Sequence, residues 1–215
     1  MSDLVVVFVA LFRYHNFPVR ILHPLLQEIQ GVNPHSIFLK NCDTNNFEYP
    51  TEKEEELFLD LIKKLNPDIV SFTVLSPFAI IAKKLTRLVK QNNPNITIIW
   101  GGIHPTIFPE DCIKDADIIC IGEGEGALTE LVTHMRDGQS YHQINNLWIR
   151  DTDQIIKNPL RPLIQNLDSL PFPLYGDNSY YFIDNNLISK NDPLLSECNY
   201  FIPTRTYALG FDRKI

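Results

Sequence analysis

The stretch formed by residues 96–105 constrains the fold more than any other part of the chain. It begins with five β-branched or aromatic residues and then runs directly into Gly101 and Gly102. This pattern predicts a buried strand that ends in a loop where the backbone closely approaches another group. Residues 116–126 repeat the design, with an apolar strand, a glycine-rich turn and the start of a helix. Because ligands of open parallel sheets bind beyond the carboxyl ends of the strands, these two glycine turns predict one shared binding site.

The remainder of residues 1–140 alternates between strand and helix patterns. Apolar strands are predicted at residues 4–10, 36–40 and 68–75, before the two strands that end in glycine. A capping box, Thr51-x-x-Glu54, and periodic apolar residues predict the intervening helices. Pro24 is expected to kink or restart the first helix. The alternation predicts a doubly wound α/β domain, with a parallel sheet in flavodoxin-like order and helices on both faces.

The pattern changes after this domain. Apolar segments at residues 144–150 and 154–157 predict a hairpin, and prolines then become frequent. We therefore expect a hairpin and proline-rich connector over residues 141–175. Residues 176–215 are expected to form an extended tail.

Composition excludes several functional classes. The net charge is −7 and the basic residues are scattered, which argues against a nucleic-acid-binding surface. The apolar run at residues 4–12 is too short to span a bilayer and has no positive segment before it, so neither a membrane span nor a signal peptide is predicted. The four cysteines form no C-x-x-C pair, which favours reduced thiols, a cytoplasmic protein and no zinc site.

The turn after the fifth strand allows two interpretations. Gly122-x-Gly124-x-x-Ala127 fits the dinucleotide-binding fingerprint, but it does not follow the first strand. Glu123 and Glu125 also place negative charge where a pyrophosphate would lie. These carboxylates either stabilise the start of a helix or accept hydrogen bonds from a neutral ligand that carries many amides.

An ordered set of short segments then points to a family. The chain resembles the N-terminal cobalamin-binding domain of cobalamin-dependent radical S-adenosylmethionine enzymes over about residues 4–175. The segments that carry the resemblance are Trp100-Gly-Gly-Ile-His-Pro-Thr106, Pro109-Glu110, Ala116-Asp117, Gly122-Glu-Gly-Glu125, Leu128-x-Glu130-Leu131, Asn146-Leu147-Trp148-x-Arg150, Asn158-x-x-Arg161 and Leu167-Asp168-x-Leu170-Pro171-Phe172-Pro173.

The resemblance implies a cobalamin site formed by three loops. Cobalamin domains of the methionine-synthase type carry S-x-L after the third strand, and here Thr73-Val74-Leu75 is similar. By this resemblance Gly101 and Gly102 would admit the nucleotide tail, Thr73 would hydrogen-bond it, and the Gly122 turn would face corrin amides. The cofactor-binding residues implied in this way are Thr73, Leu75, Ser76, Gly101, Gly102, His104, Gly122, Glu123, Gly124 and Glu125.

The cobalt ligand is where the sequence departs from the methionine-synthase type. That type carries D-x-H-x-x-G after the first strand, whereas Arg13-x-His15-x-x-Pro18 keeps only the histidine. The resemblance implies that cobalt is bound without a protein histidine, so His15 is expected to be a solvated loop residue, with cobalt ligation as the alternative. His104 is expected to be a turn residue that packs near the cofactor.

The motif that holds the iron–sulfur cluster in the radical enzymes is absent from this sequence. No C-x-x-x-C-x-x-C occurs, and residues 200–215 resemble the lead-in to that motif only at Ile202-Pro-Thr-Arg205. We therefore expect no iron–sulfur cluster in this chain, and cobalamin binding without catalysis by the chain alone. The chain would be a truncated or split product, a free-standing cobalamin module, or a partner that supplies cobalamin in trans. A radical S-adenosylmethionine domain could then act in trans. The alternatives are a cofactor-free protein-interaction module that uses the tail, and a nucleotide-binding protein that uses the Gly122 turn.

Overall fold

One mixed sheet forms the centre of the protein. The computed structural model describes residues 3–41, 48–152 and 154–195. The strands in these ranges are β1 (Leu4–Leu11), β2 (Val32–Leu39), β3 (Ile69–Thr73), β4 (Thr97–Gly101), β5 (Ile118–Cys120), β6 (Leu147–Asp151), β7 (Gln154–Lys157), β8 (Tyr180–Asp184) and β9 (Leu187–Ser189). Their order across the sheet is β7-β6-β5-β4-β3-β1-β2-β8-β9. The segment β2-β1-β3-β4-β5 is parallel and has the predicted flavodoxin-like order, which confirms the fold class.

Helices cover both faces of this sheet. They are α1 (Phe17–Gln27), α2 (Glu52–Leu65), α3 (Ala79–Asn92), α4 (Ile103–Ile107), α5 (Pro109–Cys112) and α6 (Glu125–Arg136). One apolar core lies between the sheet and the helices α2, α3 and α5. The second core lies between the opposite face and the helices α1 and α6. Because parallel strands are buried on both faces, β1 and β4 read as continuous apolar runs in the sequence.

The start of α2 follows directly from local sequence. The Thr51 hydroxyl accepts a hydrogen bond from the Glu54 backbone N–H, and the Glu54 carboxylate accepts one from the Thr51 N–H. The predicted capping box is therefore confirmed. It satisfies two backbone donors that a helix start otherwise leaves without partners.

Of the two outcomes predicted for Pro24, a restart of the helix is wrong. The helix continues through Pro24 from Phe17 to Gln27. A proline at this position removes the N–H that would bond to the Arg20 carbonyl, and the Leu174 backbone N–H donates to that carbonyl instead, at 2.9 Å. A contact made far along the chain thus replaces the missing helical hydrogen bond.

The region after β5 contains the predicted hairpin and part of the predicted tail. The strands β6 and β7 pair antiparallel, which confirms the hairpin, and β6 joins the sheet beside β5. Residues 176–215 had been expected to be extended, but β8 pairs parallel with β2, and β9 turns back against β8. The tail therefore adds two strands to the opposite edge of the sheet. Residues 196–215, including Cys198, and Cys42 lie outside the described residues.

Buried ion pairs fasten this C-terminal segment to the domain. The Arg20 guanidinium pairs with Asp192, and both side chains are fully buried. The Lys40 ammonium pairs with Asp184 at 2.8 Å and with Glu54 at 3.1 Å. Burial lowers the pKa of Lys40, but its hydrogen bonds to Asp184 and Glu54 outweigh that effect and raise the pKa.

None of the helices in the described part of the chain combines the length and apolarity needed to cross a membrane.

Candidate functional site

Three loops meet at the carboxyl end of the parallel strands. They follow β3, β4 and β5, which are neighbours in the sheet. Thr73 and Gly101 are paired at the ends of β3 and β4, and the Val74 N–H donates to the Gly101 carbonyl at 2.8 Å. The His104 N–H returns a hydrogen bond to the Val74 carbonyl at 3.0 Å. The first two loops therefore form one hydrogen-bonded unit at the sheet edge where ligands of this fold class bind.

Gly102 is required by the backbone of this unit. Its φ is +98°, in a region that residues with a side chain rarely adopt. A Cβ at this position would lie 3.0 Å from the Val74 carbonyl oxygen and 3.2 Å from the Val74 nitrogen. Glycine at 102 therefore allows the second loop to pack directly on the first.

Gly101 has a different environment. A Cβ there would point toward the neighbouring strand and lie 3.9 Å from the Cβ of Cys120, an ordinary contact distance. Apart from the chain neighbours of Gly101, no other atom of the described residues lies within 4 Å of that position, so glycine at 101 leaves this spot open on the face that also carries Gly124. A Cβ on Gly124 would lie 3.8 Å from the Cys120 sulfur and 4.0 Å from Leu22. Two glycines and a cysteine thus line the same part of the sheet edge.

Thr106 joins the second loop to the third. Its hydroxyl donates to the Gly102 carbonyl at 2.9 Å and accepts from the Gly122 N–H at 3.0 Å. Thr106 has no role predicted from the sequence, although it ends the motif that starts at Trp100. Its position in that motif was the available signal, but the bridging contact depends on how β4 and β5 lie beside each other.

His104 and Ser76 lie on facing sides of the first two loops. The His104 Nδ1 and the Ser76 hydroxyl are 3.1 Å apart, and the imidazole packs against Phe108 with ring centroids separated by 5.3 Å. His104 was predicted in a turn, but it lies in the short helix α4. Thr73 is half-buried, and among the described residues its hydroxyl has no hydrogen-bond partner. Leu75 packs against the core beneath the loop.

The Gly122 turn is held in place by residues that come later in the chain. The Asn146 side-chain amide donates to the Glu123 carbonyl at 2.8 Å, and the Ile164 N–H donates to the Glu123 carboxylate at 2.8 Å. The Asn146 side-chain oxygen accepts the Arg161 N–H at 2.7 Å. Asn146 and Arg161 occur in the segments that carried the family resemblance, but their role in fixing this turn was not predicted.

Glu125 provides the clearest indication of a missing ligand. Its Oε2 is buried, and no hydrogen-bond donor reaches it within the described ranges. A buried carboxylate oxygen without a donor is costly, so such an atom is expected to meet one when the site is filled. The adjacent Cys120 thiol stays protonated and adds no second negative charge beside Glu125. Burial and then the Glu125 charge raise the pKa of this thiol to about 12.

The position of His15 and the grouping of metal-ligating side chains bear on how cobalt could be bound. His15 lies exposed in the loop between β1 and α1, at the same end of the sheet. Throughout residues 3–41, 48–152 and 154–195, no three His, Cys, Asp or Glu side chains are arranged to hold a metal ion. The candidate site therefore consists of backbone, hydroxyl, imidazole and carboxylate groups.

A comparison with protein families decides the identity of the domain. A family model described as "B12 binding domain" matches residues 4–132. The chain belongs to this family. The match ends within α6, so it includes every loop of the candidate site.

Curated relatives of this B12-binding domain are longer proteins. It is 34% identical over 118 residues to "Uncharacterized methyltransferase PH0819" of Pyrococcus horikoshii, covering 54% of this chain and 26% of the relative. It is 30% identical over 121 residues to the anaerobic magnesium-protoporphyrin IX monomethyl ester cyclase of Cereibacter sphaeroides, covering 54% of this chain and 20% of the relative. The chain thus matches about a quarter or less of either relative's length.

Solved structures with the same fold include two cobalamin-dependent radical enzymes. The methyltransferase TsrM of Kitasatospora setae, with cobalamin and a [4Fe–4S] cluster bound, gives a TM-score of 0.61 at 15% identity and covers 80% of this chain and 31% of that chain. The enzyme OxsB with aqua-cobalamin bound gives a TM-score of 0.59 at 16% identity and covers 75% and 23%. At these identities the likeness establishes the fold alone.

Proposed function

We propose that this domain holds cobalamin at the three loops after β3, β4 and β5. The family match supports the class of ligand, and the donor-less Oε2 of Glu125 is the observation that carries the site. Cobalamin bears primary amides around its corrin ring, and an amide N–H is the donor that such an oxygen requires. The residues present therefore fit the cofactor.

Each loop has a separate role in this proposal. The missing side chain of Gly101 leaves room for the nucleotide tail between the strand ends and the helices, and the Thr73 hydroxyl donates to the tail or accepts from it. Gly102 holds the loops together, so its effect on the cofactor is indirect. The Gly122 turn, with Glu123, Gly124 and Glu125, faces corrin amides. Ser76 and His104 close the remaining side, and Leu75 supports the loop from below.

We further propose that the bound cofactor serves a radical S-adenosylmethionine domain that acts in trans. The relatives and structural neighbours include proteins named as methyltransferases and radical enzymes, which supports this class of reaction. Cobalamin supplies a cobalt centre that can carry a methyl group, and this domain positions it. The iron–sulfur cluster and the catalysis belong, in this proposal, to that other domain. The free buried thiols of Cys112 and Cys120 suit the reducing cytoplasm.

The site is tested by the affinity of two variants for hydroxocobalamin. Gly101→Val fills the gap beside Cys120, and Glu125→Ala removes the carboxylate whose oxygen lacks a donor. We expect Gly101→Val to abolish binding and Glu125→Ala to weaken it by about ten-fold, the effect of one hydrogen bond to a charged group. Glu56→Ala, which removes an exposed carboxylate on α2, is the comparison for Glu125. Wild-type affinity in both Gly101→Val and Glu125→Ala would contradict the proposal and favour a cofactor-free interaction module.

A further inference from the structure

A polar cavity opens on the outer side of the Gly122 turn. Its volume is about 480 Å³. The lining side chains include Glu123, Glu130, Gln143, Asn145, Arg161 and Ile164. Because β6 runs antiparallel to β5, the loop before β6 lies at the same end of the sheet as the Gly122 turn. The cavity therefore adjoins the candidate cobalamin site, and Glu123 belongs to both.

The walls of the cavity are fixed by hydrogen bonds. The Arg161 Nε donates to the Asn145 carbonyl, and its guanidinium pairs with the Glu130 carboxylate across the opening. A Cβ on Gly126 would lie 3.3 Å from the Arg161 Nη1, so glycine at 126 lets the guanidinium lie close to the first turn of α6. Asn146 ties Arg161 to the Gly122 turn. The cavity is thus a built feature that spans three segments of the chain.

The lining leaves polar groups available to a ligand. Among the described residues, the side-chain amides of Gln143 and Asn145 make no hydrogen bond. Each amide offers both a donor and an acceptor. The charged groups are two carboxylates and one guanidinium, and the guanidinium is already paired with Glu130. The remaining negative charge disfavours phosphate or carboxylate ligands, and the paired donors and acceptors favour a neutral ligand that carries amides.

We propose that this cavity binds primary amide side chains at the rim of the corrin ring. The inference rests on the proposed cobalamin function and adds a second contact region, formed by Gln143, Asn145 and Arg161. Glu123 connects the two regions, because it belongs to the Gly122 turn and also lines the cavity. Its carbonyl accepts a hydrogen bond from the Asn146 amide, and its carboxylate accepts one from the Ile164 N–H. The nucleotide tail is bound elsewhere, at Gly101.

The test compares two ligands that share the corrin amides. Hydroxocobalamin has the nucleotide tail, and dicyanocobinamide lacks it. The variant Gln143→Ala/Asn145→Ala removes the two available amides and keeps the Asn145 carbonyl that Arg161 uses. We expect it to lose about ten-fold in affinity for both ligands, the effect of two neutral hydrogen bonds. The control Gln91→Ala/Asn92→Ala removes a similar exposed pair at the end of α3 and keeps wild-type affinity.

The outcomes separate this inference from the proposed function. Unchanged affinity of Gln143→Ala/Asn145→Ala for both ligands, beside a wild-type chain that binds them, would overturn the amide pocket and leave the cobalamin site standing. A loss confined to hydroxocobalamin would also overturn it, because the cavity would then hold the nucleotide tail. A folded wild-type chain that binds neither ligand would overturn both proposals.

Discussion

The guanidinium of Arg20 and the carboxylate of Asp192 form a bidentate ion pair with no exposed side-chain surface. The two nitrogen–oxygen distances are 2.7 and 3.1 Å. Arg20 also donates to the Tyr14 carbonyl at 2.7 Å and lies 4.2 Å from the ring centre of Tyr175. This single side chain therefore joins α1 to Tyr175 and Asp192, which lie before and after β8 and β9.

Breaking this pair is expected to destabilise the whole domain. Asp192→Ala leaves the Arg20 charge buried without its partner, and such a loss costs about 3 to 5 kcal/mol of unfolding free energy. The measurement is urea unfolding followed by circular dichroism. Asp111→Ala, which removes the partner of Lys114 in an exposed pair, is the matched control and leaves the midpoint unchanged. Equal midpoints for the two variants would show that the C-terminal segment is not anchored through Arg20.

The stability of the protein is expected to fall as pH decreases from about 6.5 to about 4. Burial is the main cause that lowers the pKa of His23 to about 4, and Asp177 opposes it only in part. The imidazole Nδ1 contacts the Ser36 hydroxyl and Nε2 contacts the Gln27 amide, an arrangement that suits the neutral ring. The unfolded chain therefore takes up a proton in this range that the folded chain does not, which removes about 3 kcal/mol.

The pH effect is measured by urea unfolding at pH 7.5, 6, 5 and 4.5. His23→Gln is expected to lower stability at pH 7.5 but to flatten the decline below pH 6.5. His15→Gln, which removes a histidine at an exposed position, is the control. Burial also lowers the pKa of His35, so some slope remains in His23→Gln. A decline as steep in His23→Gln as in the wild type would contradict the assignment to His23.

Two glycines with positive φ allow the stability cost of backbone strain to be measured apart from the cost of a close contact. Gly138 has φ +65° and no atom within 4 Å of its missing Cβ, so Gly138→Ala is expected to cost only the conformational penalty of about 1 kcal/mol. Gly102→Ala adds contacts of 3.0 and 3.2 Å to the Val74 backbone, and about 2 to 4 kcal/mol is expected in total. Thermal or urea unfolding measures both. Equal losses would show that the loop after β4 does not pack on the loop after β3.

We expect that His15 does not coordinate the cobalt of bound cobalamin. It lies exposed in the loop after β1, and the aspartate and glycine that accompany such a histidine in the methionine-synthase type are absent here. The variant His15→Ala should therefore bind hydroxocobalamin with wild-type affinity. Electron paramagnetic resonance of the reduced Co(II) form should show the same spectrum for both proteins. Nitrogen splitting that disappears in His15→Ala would instead identify this histidine as the lower ligand.

Features that depend on neighbouring residues could be predicted from the sequence, and those that depend on distant ones could not. The capping box at Thr51 and the strand ending at Gly101 are set by a few adjacent residues. The restart predicted at Pro24 does not occur because a compensating donor, the Leu174 N–H, lies far along the chain. The strand β8 was not predicted for the same reason, because its parallel partner β2 lies far away in the sequence.

The candidate site follows the same division. The glycine turns after β4 and β5 were predicted together because strand order alone brings them to one edge. The bridge made by Thr106, the clamp made by Asn146 and the donor-less oxygen of Glu125 depend on side-chain positions that only the folded chain defines. Motif resemblance named these residues without giving their contacts.

The measurement that tests the central claim most directly is the amount of cobalamin retained by the folded chain. The purified protein is mixed with hydroxocobalamin, passed through a desalting column, and its visible spectrum is recorded beside that of Gly101→Val. Our account predicts about one cobalamin per wild-type chain and none in the variant, with equal circular dichroism spectra. A folded wild-type chain that elutes without colour would contradict cobalamin binding by this domain.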